Sequence, residues 1–172
     1  MKKFELTAEF VTNVFGKKLF RIKALVAFGD VSAGELGGFV EKEENLSNNG
    51  NAWVSGNAWV SGDAQVSGNA WVSGNAWVSG DARVSGDARV YGDADYAVVT
   101  GFGHCFRATT FFRCKDKILR VQCGCFYGDL AKFREIVKKT HGDSKYAKEY
   151  LAIADLMELH FSDEEEKQEA DE

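Results

Sequence analysis

Residues Asn51 to Gly92 read NAWVSG NAWVSG DAQVSG NAWVSG NAWVSG DARVSG DARVYG, seven unbroken hexads. The text decides the fold, because a fixed short period of small and β-branched residues is the signature of a stacked repeat. Val54, Val60, Val66, Val72, Val78, Val84 and Val90 are β-branched and suit an inward, pleated slot. Ala52, Ala58 and their successors precede each valine by two residues, on the same strand side, and are small enough for converging walls. The Gly-Asn or Gly-Asp junctions tolerate the positive φ of a sharp corner. A single hexad cannot bury its valine; stacked coils bury a continuous column. The expected fold is mainly β: a left-handed parallel β-helix of about three coils, three hexads to a turn.

The position between alanine and valine points outward. It carries Trp53, Trp59, Gln65, Trp71, Trp77, Arg83, Arg89 and Asp95. Residues 18 apart share a wall, giving Trp53, Trp71 and Arg89 on one, Trp59, Trp77 and Asp95 on a second, and Gln65 and Arg83 on a third. At the ~4.8 Å spacing of neighbouring strands the Trp pairs are expected to stack. With Tyr91 they form an aromatic surface that a monomer rarely leaves bare, which predicts a homo-oligomer, a trimer being usual for this architecture.

Working outward, Asn45 to Gly50 is a degenerate hexad before the run and Asp93 to Val98 one after it, so the coils are expected over 45–98. Residues 1–44 are expected to form a β-hairpin, turning about Phe15-Gly16-Lys17-Lys18, that caps the open end, followed by a Gly-rich lead-in from Gly29 to Glu44. Residues 99–161 predict a second hairpin, Ala108–Cys114 with Ile118–Cys123, and two helices, from about Asp129 to Thr140 and Ser144 to Phe161, with Gly142 as C-cap. Residues 162–172 (SDEEEKQEADE) form an acidic tail of disordered composition.

The chain has 172 residues, 18 Gly and no Pro, and a net charge of −5, which argues against a broad basic surface for duplex nucleic acid. The N-terminal stretch is too interrupted by charge for a signal peptide, and no apolar run reaches membrane-spanning length. A cytoplasmic protein with reduced thiols is expected. Cys105, Cys114, Cys123 and Cys125 lack paired CxxC spacing and read as core thiols, so no metal site is expected.

Three stretches carry a resemblance. They are Gly29-Asp30-Val31 with Leu36-Gly37-Gly38-Phe39-Val40-Glu41, the coils, and Cys123-Gly124-Cys125-Phe126 with Thr140-His141-Gly142-Asp143 and Tyr146-Ala147-Lys148-Glu149-Tyr150-Leu151. The chain resembles the small hexapeptide-repeat proteins carried by phages and prophages of Gram-positive bacteria, often labelled polymer-forming or acyltransferase-like. The resemblance implies the fold and a phage origin, hence the host cytoplasm. By analogy with phage sponges that sequester nucleotide immune signals, it leads to a non-enzymatic, oligomeric protein that binds a small nucleotide-like molecule to counter host antiphage defence.

No catalytic residue or cofactor is expected. Hexapeptide acyltransferases place a general-base His beside the coils, whereas His104, His141 and His160 all follow them here. The alternatives are a structural assembly module and an acyltransferase relic. For a nucleotide-like ligand, Trp faces would hold the base and Arg83, Arg89 or Arg113 the phosphates. His141, at a helix end before a second helix start, reads either as a dipole-complementing residue or as a ligand contact acting with Arg113 or Lys145.

Overall fold

The computed structural model describes residues 1–162; the predicted tail, from residue 163 onward, lies outside the described residues. Three N-terminal strands, β1 (Phe4–Thr12), β2 (Lys18–Ala24) and β3 (Leu36–Val40), precede seven two-residue strands. These are β4 (Trp53–Val54), β5 (Trp59–Val60), β6 (Gln65–Val66), β7 (Trp71–Val72), β8 (Trp77–Val78), β9 (Arg83–Val84) and β10 (Arg89–Val90). Each hexad thus spends two residues in a strand and four turning a corner.

The short strands pair in parallel with the strand three hexads away: β4 with β7 and β7 with β10, β5 with β8, and β6 with β9. All seven repeat valines are fully buried, and the repeat alanines are at most 1% exposed. Corner glycines 50, 56, 62, 68, 74, 80 and 86 hold φ between 61° and 72°, the left-handed region that disfavours a side chain. The chain is therefore mainly β, with a β-solenoid at its centre and two helices after it.

The solenoid begins earlier than the hexad text indicates. β3, within the segment read as a lead-in, already forms a rung: Phe39 pairs with Trp59 and Val40 with Val60. Leu46 bridges Val66, so it fills a valine slot. Leu46 lies eight residues before Val54 rather than six, so Asn45–Gly50 carries a two-residue expansion and is out of register with the repeats. The opposite boundary also moves. Asp93–Asp95 forms a 3-10 turn, and Tyr96–Val99 is β11 of a different sheet, so the last hexad is not a rung. Asp95 consequently leaves the wall of Trp59 and Trp77, and its carboxylate accepts hydrogen bonds from the N–H groups of Tyr91 (2.9 Å) and Gly92 (3.2 Å).

The N-terminal hairpin joins the same sheet, in the order β1-β2-β3-β5-β8. Phe4, Ile22 and Ala24 enter the core with the valines. This packing overturns the outward placement of Trp53, which is fully buried, its indole meeting Phe28 edge-on at 5.4 Å. The other three Trp are half-buried. Trp59 and Trp77 meet edge to face at 5.6 Å and 72°, not stacked, since a parallel sandwich opposes like quadrupoles.

At the first rung, carbonyls that no coil precedes are taken by side chains. Lys3 Nζ donates to Ala52 O (2.7 Å) and Gly50 O (3.3 Å), and Asn45 Nδ2 donates to Ala64 O (2.8 Å) and Gly62 O (3.1 Å). Glu41 accepts from Gly62 N–H (2.7 Å), and this bond, with the Lys17 ammonium, holds its carboxyl below the usual range. Burial pushes the Lys3 amine down to about 8. At the last rung, Arg83 N–H donates to Thr110 Oγ1 (2.9 Å), Trp77 N–H to Asp93 (2.7 Å), and Lys115 N–H to Asp87 O (2.9 Å).

The C-terminal unit has four strands, not the expected two. β11, β12 (Thr109–Arg113), β13 (Leu119–Cys123) and β14 (Phe126–Asp129) form an antiparallel sheet in sequence order, followed by α1 (Leu130–His141) and α2 (Lys145–His160). β11 escapes the reading because it lies in the repeat frame, and β14 because only two residues separate it from β13. Asp129 caps α1 by accepting from Lys132 N–H (2.8 Å), Gly142 terminates it, and Ser144 caps α2. β12 divides two cores. Phe112 packs with the solenoid valines, while Phe111 on its other face packs with Phe133, Val137, Tyr150 and Met157. Of the four cysteines only Cys114 is buried; Cys123 is half-buried and Cys105 and Cys125 are exposed, because Gly124 breaks the strand that would have carried the last pair inward.

Candidate functional site

A cavity of about 410 Å³ opens in the C-terminal unit, between the two helices, the β13–β14 corner and the loop before β12. That volume falls in the range typical of small-molecule sites. Buried Phe133, Val137 and Tyr150 form its floor, and half-buried Phe126, Ile136, His141 and Tyr146 its sides. Exposed His104, Cys105 and Arg107 stand at its mouth, with Cys123 on the strand beside them.

His104 and His141 meet Tyr146 edgewise, while His141 lies tilted by 31° against Tyr150. His104 meets Tyr146 at 5.6 Å, and His141 meets Tyr150 at 5.8 Å and Tyr146 at 6.3 Å. This leaves π faces and polar rims around one space, suited to a flat ring with a polar edge. Tyr146 and Tyr150 are one helical turn apart on α2, so one helix face supplies both. Burial, with Cys123 beside it, pushes the Tyr150 hydroxyl up to about 12, so it stays a protonated donor at neutral pH.

The mouth loop is held from below. Gly103 N–H donates to Glu149 Oε2 (2.9 Å), and the Tyr150 hydroxyl donates to Phe102 O (3.4 Å). The Arg107 guanidinium crosses the β13–β14 corner at Gly124, whose φ of +59° lies in the left-handed region that favours glycine.

The residues proposed from sequence separate. His141 lines the cavity; Arg113 and Lys145 do not. Arg113 faces Asp95 (3.6 Å) and donates to Phe161 O (2.9 Å). Lys145 is exposed and lies 3.9 Å from Glu149. Arg83 donates to Gln65 (2.9 Å) and Arg89 to Asn69 O (2.8 Å), both on the solenoid surface. Trp71 and Trp77 donate their indole N–H groups to Ser55 (3.0 Å) and Ser61 (2.8 Å) of the same chain, and Tyr91 is exposed. Sequence reasoning missed His104, Arg107, Phe126, Tyr146 and Tyr150 as a set. The available signal was the dense Phe102-Gly103-His104-Cys105-Phe106-Arg107 run, which no regular period explains. No His, Cys, Asp and Glu cluster suited to a metal occurs among the described residues.

Comparison with known proteins addresses the scaffold. Residues 64–80 and 82–94 match the family model of the YdcK beta solenoid repeat. Both segments lie within the stretch of coils and its exit turn, outside the cavity, and they mark the chain as a β-solenoid repeat protein. No curated protein matches the chain. No helix among the described residues is long and apolar enough to cross a membrane.

Proposed function

We propose that this chain is a non-enzymatic binding protein whose solenoid presents the C-terminal cavity to a small nucleotide-like molecule. The observation that carries the reading is the set of rings around one space with a single arginine at its mouth: His104, Phe126, His141, Tyr146 and Tyr150, with Arg107. The rings would hold a base, and Arg107 a phosphate, by a charge-assisted fork. The resemblance to phage hexapeptide-repeat proteins makes the concrete form of this function the capture of a nucleotide signal of host defence, in the host cytoplasm. In the same reading the coils wind left-handed, about three in number, and the N-terminal hairpin is their cap.

The test is thermal shift against a panel of linear and cyclic mono- and dinucleotides. At least one should raise Tm, since a ligand bound only by the native state stabilises it, and Arg107→Ala and Tyr146→Ala should each remove that rise. A panel without any shift would sink the reading.

An assembly role is the second reading, favoured by Val14 and Phe15, which stand 86% and 79% exposed at the hairpin tip. It takes a second copy of this chain as partner, a trimer being the expected stoichiometry. Light scattering giving the mass of one chain at micromolar concentration would dispose of it.

A further inference from the structure

The loop at the cavity mouth carries a strained residue between two chemically active ones. Phe106 holds φ at 50°, in the left-handed region, although it is not glycine and its ring is 68% exposed. Such a conformation is costly and persists where surrounding contacts enforce it. Here those contacts are the Glu149 and Tyr150 bonds behind the loop and the seating of Arg107 over Gly124. The turn brings Cys105 and Arg107 to one side of the chain, at the rim of the cavity.

Cys105 Sγ lies 3.7 Å from His104 Nδ1. Hydrogen bonds from His104 and then Arg107 pull this thiol below its ordinary range. The titratable groups around it are His104 and Arg107 on its own loop, Cys123 on β13, His141 on α1, and Tyr146, Glu149 and Tyr150 on α2. Glu149 is turned away, accepting from Gly103 N–H and facing Lys145. Arg107 therefore brings its positive charge to the rim without a carboxylate turned toward it from Glu149. Cys125 supplies an internal reference: it too is exposed, two residues beyond Cys123, but it does not line the cavity.

We propose that Cys105 is the nucleophile of a covalent-modification site that takes small, soft electrophiles carrying negative charge. The thiolate attacks the electrophilic carbon, an S–C bond forms, and the leaving group departs with its bonding pair; Arg107 draws the anionic portion of the reagent to the rim. Cationic neighbours and exposure are the two conditions that make a cysteine reactive rather than inert. The inference rests on the geometry of the cavity and not on its occupant, so a failure to bind nucleotides leaves it standing.

The test is competitive alkylation of the full-length native chain with iodoacetamide and, separately, iodoacetate, followed by peptide mass spectrometry. At pH 7 Cys105 should be labelled about tenfold faster than Cys125 by iodoacetamide, the ratio shrinking above about pH 9, where an ordinary thiol is also ionised. Iodoacetate should widen the ratio about threefold further at low salt, and 0.5 M salt should erase that extra factor. Arg107→Gln should erase it as well; the salt series gives the same information without a variant. Equal labelling of the two cysteines by both reagents overturns the proposal, and so does an iodoacetate preference no greater at Cys105 than at Cys125.

Discussion

The solenoid and the C-terminal unit sit on opposite faces of one strand and are built by opposite rules. In the solenoid, seven near-identical hexads each contribute one valine and one alanine, and every valine pairs with another 18 residues away. In the C-terminal unit the core mixes residue types without a repeat, from Phe111 and Val121 to Tyr150 and Met157. Uniformity gives a scaffold whose ends must be closed by special residues. Irregularity gives mismatched surfaces, and the cavity arises there, where two helices and a sheet leave space that neither fills.

The comparison is broken most forcefully by a charge in the valine column. Val72 is fully buried and lies between Val54 and Val90. Val72→Asp puts an unpaired carboxylate there, and the expected loss is more than about 4 kcal/mol. Its four Trp all lie in the coils, so Trp fluorescence reports the solenoid, while helical circular dichroism reports the C-terminal unit. Loss of the fluorescence signature with helicity retained would show that the two regions fold independently.

A sharper version uses the dividing strand. Phe111→Ala and Phe112→Ala each remove a fully buried ring, at an expected cost of about 3–5 kcal/mol. They point into different cores. Phe112→Ala should lower the urea midpoint read by Trp fluorescence first, and Phe111→Ala the midpoint read by helicity. Coincident shifts for both variants would mean that β12 couples the regions into one cooperative unit.

Lys3 tests how the solenoid's first rung is closed. Its pKa falls on folding from 10.5 to about 8 through burial. A depressed lysine pKa means that the unfolded chain binds the proton more tightly, so the penalty is complete below pH 8 and is relieved as pH rises toward 10.5. Wild-type stability should therefore rise by up to about 3 kcal/mol across that interval relative to Lys3→Met, by the conversion of pKa differences to free energy. At pH 7 the variant trades that relief against two carbonyls left without a donor, about 1–3 kcal/mol each at most. The readout is urea midpoint against pH for both proteins.

The same contrast explains what the sequence disclosed. The inward valines and alanines, the 18-residue pairing and the corner glycines were legible because the repeat states each physical requirement seven times. Both helices were legible from their spacing and caps. The ends were not: Leu46 stands out of frame because a corner is longer, and Tyr96–Val99 leaves the repeat because its partner is β12, a contact no local pattern announces. Trp53 reads like Trp59 in its hexad, yet only Trp53 lies under Phe28. The cavity was least legible, since His104, Phe126 and Tyr146 come from a loop, a strand and a helix, and of the rings around it only His141 was a candidate from sequence.

The smallest effect concerns what the wall Trp residues do. If their purpose is to meet another subunit, their indole N–H groups should be directed outward. Instead Trp77 donates to Ser61 and Trp71 to Ser55, each a serine 16 residues earlier and one coil back. Ser55 and Ser61 thus tie successive coils at the surface as well as through the core. Trp77→Phe keeps the ring's area but removes the donor, leaving Ser61, only 5% exposed, without it. The expected cost is about 1 kcal/mol in urea unfolding, the net worth of one such bond. Ser61→Ala should cost a similar amount, and the double variant little more than either alone, because the two groups serve a single interaction. If instead the Trp77 variant lowers the molecular mass in light scattering while Ser61→Ala leaves it unchanged, the ring serves a neighbouring subunit, and the contrast between a self-contained scaffold and a cavity-bearing unit fails on the scaffold side.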